Sequence, residues 1–340
     1  MASHFDDLET RDPAEREAAL LAALPGFLRK ATVAAPGLAR WLGDIDPEAV
    51  TSRAELARLP VLRKSELMEF QQGDPPFGGF ADPAALRGNR VFHSPGPLWE
   101  PELGAEVAEN TARAFFAAGI RAGDIVHNSF AYHMTPGGFI LDAGARALGC
   151  TVFPAGAGNT DMQVEAAAAL KPSVYCGTPD FLKVILDRAA ETGKDLSSFK
   201  LALVSGGALF PSLRAEYFSR GIQVFQCYAT GEFGVIAYES AAADGSPNPG
   251  MILNEKLIVE IVRPGTGDPV AEGEVGEIVA APASTPAIRW CGSAPATCRR
   301  SFPACRPAAG PTPASRAGWA APTSAPRSRV CSSIRPRSRR

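Results

Sequence analysis

Six segments of this chain set a glycine or a polar residue directly behind a short apolar run. They are H-S-P-G-P (93–97), F-A-Y-H-M-T-P-G-G (130–138), A-G-A-G-N-T (155–160), G-T-P (177–179), S-G-G-A (205–208) and Y-A-T-G-E (228–232). If the apolar runs are parallel strands, these segments lie beyond the carboxyl ends of the strands, where open α/β sheets bind small ligands. Strand-to-helix loops also need glycine and capping residues for conformational reasons alone, so spacing leaves a ligand rim and a set of ordinary connections equally open. Glu232 has two readings as well, a functional carboxylate or a solvated, helix-capping acid. His4, His93, His127 and His133 lack the spacing of a histidine metal site, and His133 reads as a loop histidine on residue grounds. Cys150, Cys176 and Cys227 lie in apolar contexts with no C-x-x-C pair, which predicts buried thiols in a reducing cytosol.

The elements that must hold these segments follow from periodicity. Residues 13–43 carry apolar positions at helical spacing, and Ser52 with Glu55 forms a capping-box pattern for a short helix to Leu59. L-P-V-L-R-K-S-E-L (59–67) and a Gly/Pro/Phe-rich loop to Asp82 complete an irregular N-terminal segment, 1–89. Strands and helices alternate from Arg90 to about residue 226, beginning with R-V-F-H-S, and this predicts an α/β core over 90–250. The expected fold is α/β, a multi-unit, mostly parallel sheet with flanking helices. A β-rich subdomain starts at 251–282, with antiparallel strands at 257–263 and 276–279.

Composition changes near Ala281. The last sixty residues contain no Asp, Glu, Lys or Leu but eleven Arg, ten Pro and four Cys. Such a segment can neither fill a core nor neutralise its own charge. A disordered arm for nucleic acid or an acidic partner is one reading. The other is translation out of frame, because codons rebuilt across the existing boundaries, with one base left free, include R-F-G-T-G-D-L and G-R-A-D-Q. The second reading returns leucines, acids and lysines together, so 283–340 is expected to be an out-of-frame, disordered tail. Eleven of the 34 basic residues lie there, leaving 23 against all 36 acids in the body, a net charge of −13 that the overall −2 conceals. That balance argues against nucleic acid as a partner. The body shows neither a signal peptide nor an apolar span, so a cytoplasmic protein off the membrane is expected.

With these segments in order, the body resembles the phenylacetate-CoA ligase family of adenylate-forming acyl-CoA synthetases. The 59–67 segment is similar to that family's L-P-x-x-x-K-x-x-L, G-N-T-D-M-Q (158–163) to its G-N-T-x-x-Q, G-T-P-D-F-L (177–182) to its T-P strand end, and 228–232 to its Y-G-x-[ST]-E. G-E-V-G-E-I-V (273–279) resembles the strand entering its third subdomain, and the rebuilt R-F-G-T-G-D-L its ribose-binding motif. The resemblance implies that ATP activates a carboxylic acid as its acyl-adenylate, with Mg²⁺, and that CoA then displaces AMP. Electrostatics and positioning would carry such a reaction more than a protein nucleophile. It further implies that Glu232 holds Mg²⁺ and that Tyr228 lies beside adenine. Ser205, Gly206, Gly207 and Ala208 would line the adenine pocket, Ser94 and Gly96 would belong to the phosphate loop, and Tyr132, His133 and Gly138 would border the acyl group.

The sequence also departs from the family. Its phosphate loop, S-G-T-T-G-K-P, is matched here by H-S-P-G-P-L-W-E-P (93–101), which lacks the threonines and the lysine and in which Glu100 brings negative charge towards a polyanion. Ala208 stands where the family has an acid, and Gly231 where it has Ser or Thr, unless Thr230 serves as the catalytic hydroxyl through a local shift. The expected function is therefore an acid–thiol ligase acting on an aromatic or other small carboxylic acid with ATP and CoA, impaired in the chain as written. The rival is a non-catalytic nucleotide- or acyl-binding protein.

Limited proteolysis tests the tail: residues beyond about 284 should be removed well before the body is cut, because proline and unpaired arginine oppose both helix and collapse. A protease-resistant tail contradicts the out-of-frame reading.

Overall fold

A computed structural model describes residues 4–282 except Ala85, Pro95 and Glu272; the expectations for 283–340 lie outside the described residues. Helices α1 (Pro13–Ala34) and α2 (Pro36–Leu42) occupy the first helical stretch. The Asp12 carboxylate accepts the Ala14 N–H and Pro13 opens α1, a favourable start because proline has no N–H to leave unsatisfied. Helix α3 (Arg53–Leu56) is shorter than the sequence pattern implies. Ser52 caps the Glu55 N–H, but the Glu55 carboxylate turns to Arg58 and does not close a capping box. Helix α4 (Lys64–Gly73) follows. These N-terminal helices share a hydrophobic core with a two-stranded antiparallel sheet, β10 (Leu257–Val262) and β11 (Glu277–Pro282), through Leu24, Leu28, Leu38, Leu62, Ile258 and Ala280.

The main sheet has seven strands in the order β4-β3-β5-β6-β7-β8-β9. Strands β3 (Ile125–Asn128), β4 (Thr151–Phe153), β5 (Val174–Gly177), β6 (Leu201–Val204) and β7 (Gln223–Thr230) are parallel. β8 (Gly234–Tyr238) and β9 (Ile252–Leu253) extend the sheet antiparallel. Helices α5 (Ala105–Ala117) and α6 (Gly137–Ala147) cover one face, and α7 (Thr160–Leu170), α8 (Pro179–Glu191) and α9 (Pro211–Ser219) the other. Strand alternation divides the side chains: Val174 and Cys176 join the α5–α6 core while Tyr175 between them joins the α7–α8–α9 core. The two helices of the first layer meet closely at Gly144, where a Cβ would lie 2.5 Å from Thr111 Cβ.

One strand falls elsewhere than its sequence context implies. R-V-F-H-S forms β1 (Val91–His93), which pairs only with β2 (Trp99–Pro101), antiparallel and in a separate hairpin. Thus the strand that ends at His93 leads into a hairpin with β2 and not to a carboxyl end of the main sheet. The later Y-A-T-G-E segment also differs, since β7 continues to Thr230 and turns directly into β8.

Gln163, the last residue of G-N-T-D-M-Q, fixes a neighbouring rim loop. Its Nε2 donates to the carbonyls of Gly156 and Gly158 at 2.8 and 2.6 Å. Its Oε1 must therefore accept, receiving the Ser129 hydroxyl at 3.0 Å and His127 Nε2 at 2.8 Å. That assignment puts the His127 proton on Nε2 and leaves Nδ1 bare among Phe153, Tyr175 and Phe199. Burial holds the ring's pKa below its ordinary value, with the Gln163 bond opposing. A depressed basic group means that the folded chain binds fewer protons than the unfolded chain below about pH 6.5. Stability supplied by neutral His127 should therefore be complete above that pH and fall as acid passes the depressed value. Denaturant melts from pH 7.5 to 5 should show this slope, and His127→Asn should flatten it; an equal slope in both proteins contradicts the assignment.

Candidate active site

The site is assembled around a buried charge cluster. Helix α4 opens at Lys64, its first turn closed by the Arg63 N–H donating to Glu66 Oε2 at 2.8 Å. From the other end of α4, Gln71 grips β2: it accepts the Trp99 N–H at 2.8 Å and donates to the Trp99 carbonyl at 2.9 Å. This two-point clamp fixes the next residue, Glu100, which is 4 % exposed. The β7–β8 turn supplies Glu232, whose Oε1 lies 2.7 Å from Lys64 Nζ and whose side chain is 2 % exposed. Glu232 is therefore neither a solvated acid nor a helix cap.

Gly231 explains how Glu100 fits. A Cβ at position 231 would lie 2.6 Å from Glu100 Cδ, so the carboxylate occupies the volume that any side chain there would need. The two departures, Glu100 in a phosphate-loop segment without the lysine and Gly231 in place of Ser or Thr, meet in one steric arrangement. Electrostatically the cluster is unbalanced, with two buried carboxylates against the partly exposed ammonium of Lys64. Burial pushes the Glu100 carboxyl up to about 7; the nearby Glu232 charge adds to the rise, while Lys64 and the Ser94 hydroxyl oppose it. The Ser94 hydroxyl faces the Glu100 carboxylate, and the Lys64 ammonium is ion-paired with Glu232, so one ammonium serves a cluster of two buried acids.

The other expected residues fall into three groups. Ser94 closes its hairpin turn by donating its N–H to the Leu98 carbonyl at 2.9 Å, with Gly96 exposed at the tip. Buried Ser205 and exposed Gly206, Gly207 and Ala208 follow β6, beside β7 with Tyr228 and Thr230, so the proposed nucleotide residues leave two paired parallel strands. The Thr230 hydroxyl accepts the Phe233 N–H at 3.3 Å and thereby braces the β7–β8 turn. On the acyl side, the Tyr132 hydroxyl receives Asn128 Nδ2 at 2.7 Å and donates to Asp142 at 3.2 Å, and burial with the Asp142 charge raises its pKa. Gly138 is tightly placed, since a Cβ would lie 2.6 Å from the Ala131 carbonyl oxygen, whereas His133 is exposed.

Sequence reasoning assigned no role to Lys64, Asn128, Phe92 or Phe139. Phe139 packs against Phe92 at 5.4 Å and Tyr132 at 5.2 Å, joining the β1–β2 hairpin to the acyl-side loop. The lysine was visible inside L-P-V-L-R-K-S-E-L; the aromatic contact carries no local sequence signal. A cavity of about 460 Å³ lies elsewhere, lined by Arg11, Arg16, Phe116, Arg121 and Glu255 among others. It lies towards the amino ends of the parallel strands and includes none of the expected site residues.

The AMP-binding enzyme family matches residues 106–285, just over half of the 340-residue chain. The chain belongs to the AMP-binding enzyme family. It is similar to the phenylacetate-coenzyme A ligase of Aromatoleum evansii, 29 % identical over 245 residues that make up 69 % of this chain and 54 % of the relative. The Pseudomonas putida phenylacetate-coenzyme A ligase is 30 % identical over 245 residues, 68 % of this chain and 54 % of the relative. The chain thus spans about half the length of these curated relatives. Its fold is also that of an open conformation of 2-hydroxyisobutyryl-CoA ligase solved with 2-HIB-AMP and CoA: TM-score 0.77 at 24 % identity, over 85 % of this chain and 70 % of that one.

The Glu100–Gly231 fit predicts a strong coupling. Gly231→Ala alone should destabilise the chain by about 1–3 kcal/mol through overpacking, and almost not at all when Glu100→Ala has opened the space. A double-mutant cycle in urea should give a coupling of about 1 kcal/mol or more; additive effects contradict the contact.

Proposed function

We propose that the rim formed by the ends of β6 and β7 with the β7–β8 turn binds ATP and a small carboxylic acid and joins them as an acyl-adenylate, which CoA then consumes. The observation that carries this reading is the placement of Ser205–Ala208 and Tyr228–Glu232 at the same end of two paired parallel strands, with a buried acid at the turn. In this reading Tyr228 and the 205–208 loop take the adenine. Ser94 and Gly96 face the phosphates, and Tyr132, His133 and Gly138 border the acyl group. An aromatic acid is supported by the names of the relatives and by the Phe92–Tyr132–Phe139 cluster. The proposed setting is the cytoplasm; no single described helix is long and apolar enough to cross a membrane.

Glu232 and Glu100 suit Mg²⁺, because two buried carboxylates face a single ammonium and hard divalent cations take carboxylate oxygens. Bound there, Mg²⁺ would offset charge on the phosphates. The chain's own contribution is positional: Gln71 fixes β2, Gln163 fixes the 156–158 loop, and Thr230 braces the turn that presents Glu232.

ATP–pyrophosphate exchange across aromatic and short aliphatic acids tests the reading, measured on the 340-residue chain and on one with its reading frame restored near codon 281. Acid-dependent exchange is expected in the restored chain. Glu232→Gln should lower it on the order of 100-fold, the loss of a transition-state charge contact, with little change in melting temperature. Nucleotide binding without exchange for any acid would favour the rival binding protein.

A further inference from the structure

We propose that the cavity of about 460 Å³ at the amino ends of the strands is a second ligand site, one that takes a small amphipathic organic anion, a carboxylate or phosphate ester with an apolar body. Its volume is that of an ordinary small-molecule pocket. Leu8 and Arg11 from the chain before α1, Phe116 and Arg121 around the end of α5, and Ile252 and Leu253 of β9 line it. It therefore stands apart from the carboxyl-end rim and does not depend on the ligase reading.

Hydrogen bonding decides the sign of charge that the cavity accepts. Its acids are engaged: Glu255 pairs with Arg11 at 2.9 Å and Arg16 at 3.2 Å, Glu17 pairs with Arg53, and Glu9 accepts the Phe5 N–H at 2.7 Å and the Tyr238 hydroxyl at 3.1 Å. Arg16 is largely engaged as well, since its Nη2 also donates to the Asn254 and Leu257 carbonyls. Arg11 and Arg121 keep donors free. Arg11 Nε is buried with no hydrogen-bond partner among the described residues, an unfavourable state for a charged donor. Arg121 donates only through Nη1, to the Phe116 and Ile120 carbonyls at 2.7 and 2.8 Å, and forms no ion pair among the described residues. What remains is its Nε–Nη2 edge, the side of a guanidinium that holds a carboxylate or phosphate through two parallel bonds. The same guanidinium lies over the Phe116 ring at 3.8 Å from its centroid, which fixes the cation against an apolar wall continued by Ile252 and Leu253. A free anionic fork beside an aromatic wall suits a ligand whose charged head and apolar body are adjacent.

The experiment titrates 1-anilinonaphthalene-8-sulfonate, an amphipathic anion, into the 340-residue chain, follows its fluorescence, and then competes it with octanoate, octyl phosphate and octanol. A single saturable site is expected. Arg121→Met should weaken it by about tenfold or more, the loss of a charge-assisted pair, and Tyr228→Ala at the rim should leave it unchanged. Octanoate or octyl phosphate should displace the probe at concentrations at least about tenfold below those octanol needs, and the stronger of the two identifies the head group. No saturable site, undiminished affinity in Arg121→Met, loss of the site in Tyr228→Ala, or displacement by octanol as readily as by either anion overturns the proposal. If Arg121→Met does not fold, Arg11→Met decides by the same criterion. Because the probe has no carboxylate to activate and ATP is absent, none of these outcomes bears on the ligase reading.

Discussion

The site depends on an uneven charge balance: the buried carboxylates of Glu100 and Glu232 face one ammonium, that of partly exposed Lys64. Each partner arrives from a different part of the chain: Lys64 from the start of α4, Glu100 from the β1–β2 hairpin and Glu232 from the β7–β8 turn. Their meeting therefore requires the N-terminal helices, the separate hairpin and the main sheet to be in register. Breaking the pair from the lysine side would leave uncompensated charge in a low-dielectric position, where the remaining partners destabilise the fold more than the pair stabilised it. Gln71 and Gly231 are small devices by comparison, yet they set where the second carboxylate can be.

Around this cluster, the polar residues of the rim hold loops in place. Gln163 uses both ends of its amide, so the 156–158 carbonyls, Ser129 and His127 are held by one side chain. Asn128 does similar work for the acyl-side loop, donating to Tyr132 and to the Gly138 carbonyl while its own oxygen accepts the Phe130 N–H. Buried amides of this kind must be fully paired, and full pairing makes a loop rigid. The reactive groups can then be few, because positioning is built into the loops that carry them.

The α/β core was legible in the sequence because short apolar strands and amphipathic helices alternate strongly, and the parallel sheet with both faces covered follows from that pattern. The β1–β2 hairpin was not, since three residues of strand carry the same local signal whether they pair with a sheet or with each other. The β8 strand was missed for a related reason: Gly234–Tyr238 is buried throughout and shows no alternation to mark it. At the candidate site, the motif singles out Glu232, whose burial at the β7–β8 turn the sequence does not show, and the departures at Glu100 and Gly231 were visible only as two separate ones. That they are one contact was not, because the residues lie far apart in sequence and only the fold brings the carboxylate to the glycine. Thr230 was expected as a catalytic hydroxyl; its bond to the Phe233 N–H gives it a structural task in the same turn.

The central claim is that the carboxyl-end rim, and not the cavity at the amino ends of the strands, holds an acyl-adenylate. A non-hydrolysable acyl-sulfamoyl adenosine, titrated by calorimetry into the parent chain and into Tyr228→Ala, tests it most directly. The account predicts one ligand per chain and a loss of affinity of about tenfold or more in the variant, as expected for removing an aromatic contact. Saturable binding that is unaffected by Tyr228→Ala but lost in Arg11→Gln, which lines the other cavity, would contradict it.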